Sequence, residues 1–377
     1  MDWKKPLLDM DEIDRRKRRI RDAWLYRRVD KMPLYVMTSG DYQNPNKYTP
    51  EEIRSDVSKQ FELAMRVVAH DLVFFDDDYV PVVRGVNETT YFVAEHFGCR
   101  LGENMRVISH PLTSVADVQA VEAKAPTDNP RVHRILETLR YFALNVPPGI
   151  GICDFDSLSP MCTASQLLET DLYYTIQYDD PETLLHLLQI LEDYYVGYFR
   201  EVVSAVGGID RMPSVDGDWL WHPSPYKALI DCDVLAMMNK DSYLRYQQPF
   251  VDRMCGEFGG GVVHCCGKQP YPETRVAPEK GLMGIHMCWE LSHQDNAAIK
   301  KALAHKGVVV YFTMFGVADL PERLEVYRKM ADYYAPDVVC IPVFDFNLDR
   351  HSETEVREFY REATAISQQY ASRMDWE

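Results

Sequence analysis

Hydrophobic and polar positions along this chain follow two alternating rhythms. Short apolar runs bounded by Gly, Pro, Asp or Ser read as strands, and longer stretches with apolar residues three and four apart read as helices. The first strand is Met32–Met37, ending at Thr38-Ser39-Gly40-Asp41. Thr49-Pro50-Glu51-Glu52 then carries a helix-start signature. Thr49 stands at the N-cap, proline at the first helical position and acids in the first turn, with the helix expected to continue to Ala69. Asp71–Phe75 reads as a second strand ending in Asp76-Asp77-Asp78. Residues 80–112 hold short alternating runs, Thr90–Val93 and Met105–Ile108, expected as a β-hairpin insertion.

From Pro147 onward the alternation is regular. Strands are expected at Gly149–Cys153, Met212–Asp216, Val262–His264, Gly284–Cys288, Gly307–Phe312 and Asp337–Pro342. Between and after them, helices are expected at Thr163–Leu172, Pro181–Ala205, Asp241–Phe258, Asp295–Ala304, from Leu320 onward, and at Ser352–Tyr370. This succession predicts an α/β fold, a (β/α)8 TIM barrel occupying residues 1–377 as a single domain, with residues 1–31 as an N-terminal helical extension. A doubly wound sheet is the alternative, but no Gly-x-Gly-x-x-Gly follows the first strand. No Pro/Gly/Ser-rich linker divides the chain.

Composition narrows the function classes. The chain has 377 residues, 46% of them hydrophobic, enough for a large core. A formal net charge of -17 weighs against a nucleic-acid partner, because phosphates would be repelled. Arg15–Arg19, with Arg21, Arg27 and Arg28, is interleaved with aspartates and Trp24 and reads as a solvated helix. No apolar run reaches the ~18 residues of a membrane span, and the start lacks the apolar stretch of a signal peptide. The nine cysteines are odd in number and lack disulfide-framework spacing, which points to a reducing cytoplasm.

The candidate chemistry sits at strand ends. In Gly261-Val262-Val263-His264-Cys265-Cys266-Gly267, strand alternation turns His264 and Cys266 to one face and Cys265 to the other. Imidazole nitrogen and thiolate sulfur both suit zinc. A catalytic zinc needs three protein ligands, and barrel closure can bring in a distant third, either Cys288 or Cys340. Asp216, Asp218 and Glu290 fall at predicted strand ends as candidate catalytic proton donors or orienting groups. Trp219, Trp221, Tyr311 and Phe344, with Phe312, Phe315 and Phe346, are expected to line an apolar, flat-sided substrate mouth.

These features together resemble the uroporphyrinogen decarboxylase superfamily, in particular its zinc-dependent corrinoid methyltransferase branch, which includes the methanol, methylamine and chloromethane methyltransferases. His264-Cys265-Cys266-Gly267 matches the family's His-x-Cys-Gly strand end, followed some seventy residues on by a last cysteine, here Cys340. Arg18–Pro33 matches the opening helix and its Val-Asp-x-x-Pro, and Asp233–Pro249 the helix before the His-x-Cys strand. Uroporphyrinogen decarboxylases themselves carry an Arg-Gln-x-Gly-Arg-Tyr segment where this chain reads Thr38–Gln43 without arginine, so porphyrinogen decarboxylation is not expected. The resemblance implies zinc held by His264, Cys266 and Cys340, and a corrinoid supplied by a partner protein. It implies methyl transfer between that corrinoid and a small substrate, here favoured as O-demethylation of a methoxylated aromatic, and it admits a homodimer. The rival readings are a methylcorrinoid:thiol methyltransferase, a metal-free lyase using Asp76–Asp78 and Asp218, and a non-catalytic barrel.

Overall fold

The computed structural model describes residues 3, 4, 6, 8–75, 77–85, 89–217, 219–314, 316, 317 and 319–376. Asp76, Asp218 and Phe315, named above, lie outside them. Among the described residues, eight parallel strands carry the fold: β1 (Tyr35–Ser39), β2 (Val82–Arg84), β3 (Gly151–Cys153), β4 (Ala228–Asp231), β5 (Gly261–Cys265), β6 (Leu282–Cys288), β7 (Val309–Thr313) and β8 (Val339–Asn347). Six of them form one curled sheet in the order β1-β8-β7-β6-β5-β4, while β2 and β3 pair separately. The ladder therefore describes a half-barrel with TIM-like strand order, and the expected closed ring of eight paired strands is not formed.

The interruptions trace to short apolar runs whose period is ambiguous. Asp71–Phe75, expected as a strand, falls in helix α2 (Val57–Phe74) and its C-cap. Its apolar residues continue the buried face set by Ala64, Met65 and Val68, and the buried Asp71 accepts a hydrogen bond from Thr38 N at 2.8 Å. The second strand is instead Val82–Arg84, inside the stretch expected as a hairpin. That insertion is reduced to a small antiparallel pair, Arg100–Leu101 with Val107–Ser109, beside the short helix Phe92–His96. Met212–Asp216 makes one isolated bridge, Val215 to Ala228, and the strand is Ala228–Asp231. Close strand approach explains Gly261: a Cβ there would lie 1.7 Å from the Ala228 carbonyl oxygen.

Helix α1 (Met10–Trp24) is less solvated than its basic composition predicts. Ile13, Ile20 and Trp24 are buried, and so are Arg16 and Arg19. Arg16 donates to the Tyr79 carbonyl at 2.8 Å, and Arg19 pairs with Asp30 and Asp77. Lys31 completes the network with Asp77 and Asp78. Asp77 and Asp78 lock the N-terminal extension onto the half-barrel, and neither lines the cavity described below. The outer layer includes α3 (Pro181–Val206), α4 (Leu320–Tyr334) and α5 (Glu353–Ala371), the last opened by the Ser352/Glu355 capping box. No described helix is long and apolar enough to cross a membrane.

Candidate metal centre and cavity

Strand β5 delivers His264 and Cys266 to one side of the sheet, as its alternation requires. In register, His264 faces Asp231 on β4 and His286 on β6. The turn after β4 carries Asp233, whose Oδ1 accepts the Cys266 backbone N–H at 2.8 Å and lies 3.6 Å from His264 Nε2. The same Nε2 is 3.1 Å from Cys266 Sγ. One ligand atom from each of Asp233, His264 and Cys266 lies within 4.8 Å of the others. Ligand pairs around a tetrahedral zinc are about 3.3–3.6 Å apart at the usual bond lengths, so this donor set fits the ion. His264 Nδ1 stands 3.2 Å from His286 Nδ1, a second contact of the kind that fixes the ring of a metal-binding histidine. Burial pushes the Cys266 thiol well up, so without a cation it stays protonated at neutral pH.

Cys340 is not part of this group. Strand β8 continues to Asn347, so Cys340 is its second residue and not its end. Its register partner Val310 is likewise the second residue of β7. Ile341 pairs with the inward-facing Tyr311, so parity turns Cys340 outward, where its backbone N–H meets the Tyr370 hydroxyl of α5 at 3.0 Å. Cys288, the competing ligand, ends β6 two residues beyond His286 and shares its face. Its thiol donates to Glu290 Oε2 at 2.8 Å, and it stands outside the three-residue ligand group. The third residue that the structure brings to His264 and Cys266 is Asp233, expected from the sequence only as the start of a helix.

Asp233, His264, Cys266 and His286 border a cavity of about 940 Å³ over the C-terminal strand ends. Trp219 lines it, its ring edge-on to Tyr35 at 6.2 Å between centroids. The other expected substrate residues do not. Tyr311 is fully buried among Trp24, Tyr35, His222 and His286. Phe344 shares Cys340's outward parity and packs on Tyr327 and Phe359 of the helices. The Trp221 ring lies beneath Lys17 and Lys227. Glu290 is also away from the cavity lining: its Oε1 accepts the Gly316 and Val317 N–H groups at 2.7 and 3.1 Å, pinning the loop after β7.

The wall carries carboxylates beside the metal group and guanidinium groups elsewhere. Asp216 sits at φ 85 followed by Gly217 at φ 77, and a Cβ at Gly217 would fall 2.3 Å from Asp156. A non-glycine residue in the left-handed region is strained, and such strain clusters at functional sites. Burial holds the Asp216 carboxyl well above the usual carboxylate range, and Ser157 Oγ donates to its Oδ1. Arg84, Arg323 and Arg350 complete the lining. Asp233, His286 and these arginines were absent from the sequence-derived site. A correct placement of the strand Ala228–Asp231 would have put Asp233 at a strand end.

No protein-family model and no curated protein sequence matches the chain. Among solved structures, the fold is similar to that of a methyltransferase from Methanosarcina mazei, with a TM-score of 0.65 and 16% sequence identity over 94% of this chain and 98% of that one. At this identity the likeness is one of fold, and it extends over nearly the whole of both chains.

Proposed function

We propose that this chain is a zinc-dependent methyltransferase that moves a methyl group between a substrate in the cavity and a corrinoid carried by a partner protein. One observation carries the reading: Asp233, His264 and Cys266 converge at the C-terminal rim of adjacent parallel strands, open to a cavity of about 940 Å³. The resemblance at His264-Cys265-Cys266-Gly267 and the methyltransferase fold support the same choice.

Asp233, His264 and Cys266 would hold the zinc, and it would supply Lewis-acid chemistry at the methyl-bearing heteroatom. Asp233 accepts the Cys266 N–H and so fixes the turn that presents both side chains. The partner's corrinoid would supply the electron pair that takes the methyl group, and for an ether substrate the C–O electron pair stays on the oxygen. Asp216, whose protonated form burial favours and which Ser157 orients, delivers the proton that this oxygen needs. The cavity volume, with Trp219 on its wall, accommodates a methoxylated aromatic and far exceeds what methanol requires.

The test is elemental analysis of the purified protein together with a methyl-transfer assay. One zinc per chain is expected, reduced at least tenfold in occupancy in Asp233→Ala and lost in Cys266→Ser. Transfer is expected only when a corrinoid protein is supplied. A wild-type chain that binds no zinc, or that turns over unchanged after chelation, overturns the reading.

A further inference from the structure

The cavity is electrically two-sided, and its second side has no part in holding a metal. Asp233, His264 and Cys266 belong to β4 and β5, whereas Asp345, Asn347 and Arg350 belong to β8 and the turn after it. Strands β7 and β6 intervene. Three inter-strand spacings of about 4.8 Å separate β8 from β5, roughly 14 Å along the curved sheet. Arg84 reaches the same cavity from the end of β2, and Arg323 reaches it from α4.

These arginines are placed differently. Arg323 is tied down: Nε donates to the Val317 carbonyl at 2.6 Å and Nη1 to the Asp345 carbonyl at 2.7 Å. Its guanidinium is thereby fixed with further N–H donors to spare. Arg84 and Arg350 are exposed to the cavity and make no side-chain hydrogen bond or ion pair within 4.0 Å among the described residues. Asp345 is the carboxylate on this wall, where Arg323 and Arg84 act on it electrostatically. Asp345 and Glu290 act on Arg323, so the positive character of this wall rests on Arg84 and Arg350, which have no carboxylate partner within 4.0 Å among the described residues. Both stand in a chain of net charge -17, where the exposed Arg200 and the half-buried Arg253 have acidic partners.

We propose that Arg84, Arg323 and Arg350 form an anion-binding subsite, and that the methyl-bearing substrate is an elongated organic anion. Its carboxylate or sulfonate docks on the guanidinium wall while its methyl end reaches the Asp233–His264–Cys266 end. The planar fork of arginine suits either oxyanion through paired N–H donors. Apolar lining from Trp219, Leu229, Met314 and Val343 suits an aromatic or alkyl spacer. This substrate class rests on the methyltransferase reading, whereas the anion subsite itself does not.

Calorimetric titration separates the two. The probes are 4-methoxybenzoate, 4-methoxybenzenesulfonate, inorganic phosphate and the neutral methoxybenzene, with zinc content measured in parallel. Wild type is expected to bind one or both aryl anions at least tenfold more tightly than methoxybenzene, and the ratio of the two names the preferred oxyanion. Arg84→Gln and Arg350→Gln are each expected to weaken the anions at least fivefold, leaving methoxybenzene binding and zinc content unchanged. In Cys266→Ser, anion binding is expected to persist although zinc is lost. Equal binding of anions and methoxybenzene, or anion binding untouched in both arginine variants, overturns the subsite. Phosphate binding as tightly as the aryl anions overturns the elongated substrate. Anion preference that holds in a protein with no zinc and no methyl transfer keeps the subsite and removes the methyltransferase reading.

Discussion

Cys266 and Cys340 are the same residue on two strands of one sheet, and they have opposite fates. Cys266 follows the last residue of β5, faces inward and meets His264 across 3.1 Å at a cavity. Cys340 is second in β8, faces outward and is sealed among Tyr26 and the tyrosines of α4 and α5. Position along a strand and parity within it decide which thiol meets the cavity. The same rule divides the aromatics: Phe344 shares Cys340's parity and packs under the helices, while Asp345, one residue on, turns to the cavity.

The comparison breaks most sharply at the thiols themselves. Cys266→Ser is expected to abolish zinc retention, whereas Cys340→Ser keeps one zinc per chain and loses about 1–3 kcal/mol of stability, because a hydroxyl replaces a thiol in a fully buried site. Elemental analysis and denaturant midpoints on both variants check this, and zinc loss in Cys340→Ser would reverse the assignment. Next in size is the aromatic pair. Phe344→Ala is expected to cost about 3–5 kcal/mol as a core cavity while leaving ligand affinity intact. Trp219→Ala is expected to lower cavity-ligand affinity several-fold with a smaller effect on stability, and equal behaviour of the two variants would erase the distinction.

A smaller effect sharpens the electrostatic side. Asp154, just past β3, is fully buried, accepts from Tyr198 OH at 2.9 Å, and has its carboxyl pushed up to about 7 by desolvation. Its folded-state value lies above its unfolded one, so the folded chain holds the proton longer. Stability therefore falls as pH rises from the usual carboxylate range through about 7. Asp154→Asn is expected to remove this slope, narrowing the loss between pH 5 and 8 by about 2 kcal/mol. Urea denaturation at several pH values reads it, and parallel slopes in both proteins would locate the proton elsewhere.

Much of the fold was legible because long periodic segments leave little choice. The helix predicted from Pro181 to Ala205 is found at Pro181–Val206, and Ser352–Tyr370 at Glu353–Ala371. Short apolar runs were not legible. Asp71–Phe75 reads equally as strand or as the last turn of a buried helix, and the three-residue strand Val82–Arg84 carries almost no period of its own. Missing Ala228–Asp231 hid Asp233, and ending β8 at Pro342 instead of Asn347 made Cys340 look like a terminal residue. The first of these errors concerns where a strand lies, and the second where one stops.

By itself, the sequence determined the alternating α/β architecture and the shared face of His264 and Cys266, since both follow from local periodicity. Which third residue joins them, which aromatics reach the cavity and where the arginines gather were decided by the tertiary structure alone. Those outcomes depend on strand register and on residues distant along the chain meeting at one rim, and no local pattern encodes either.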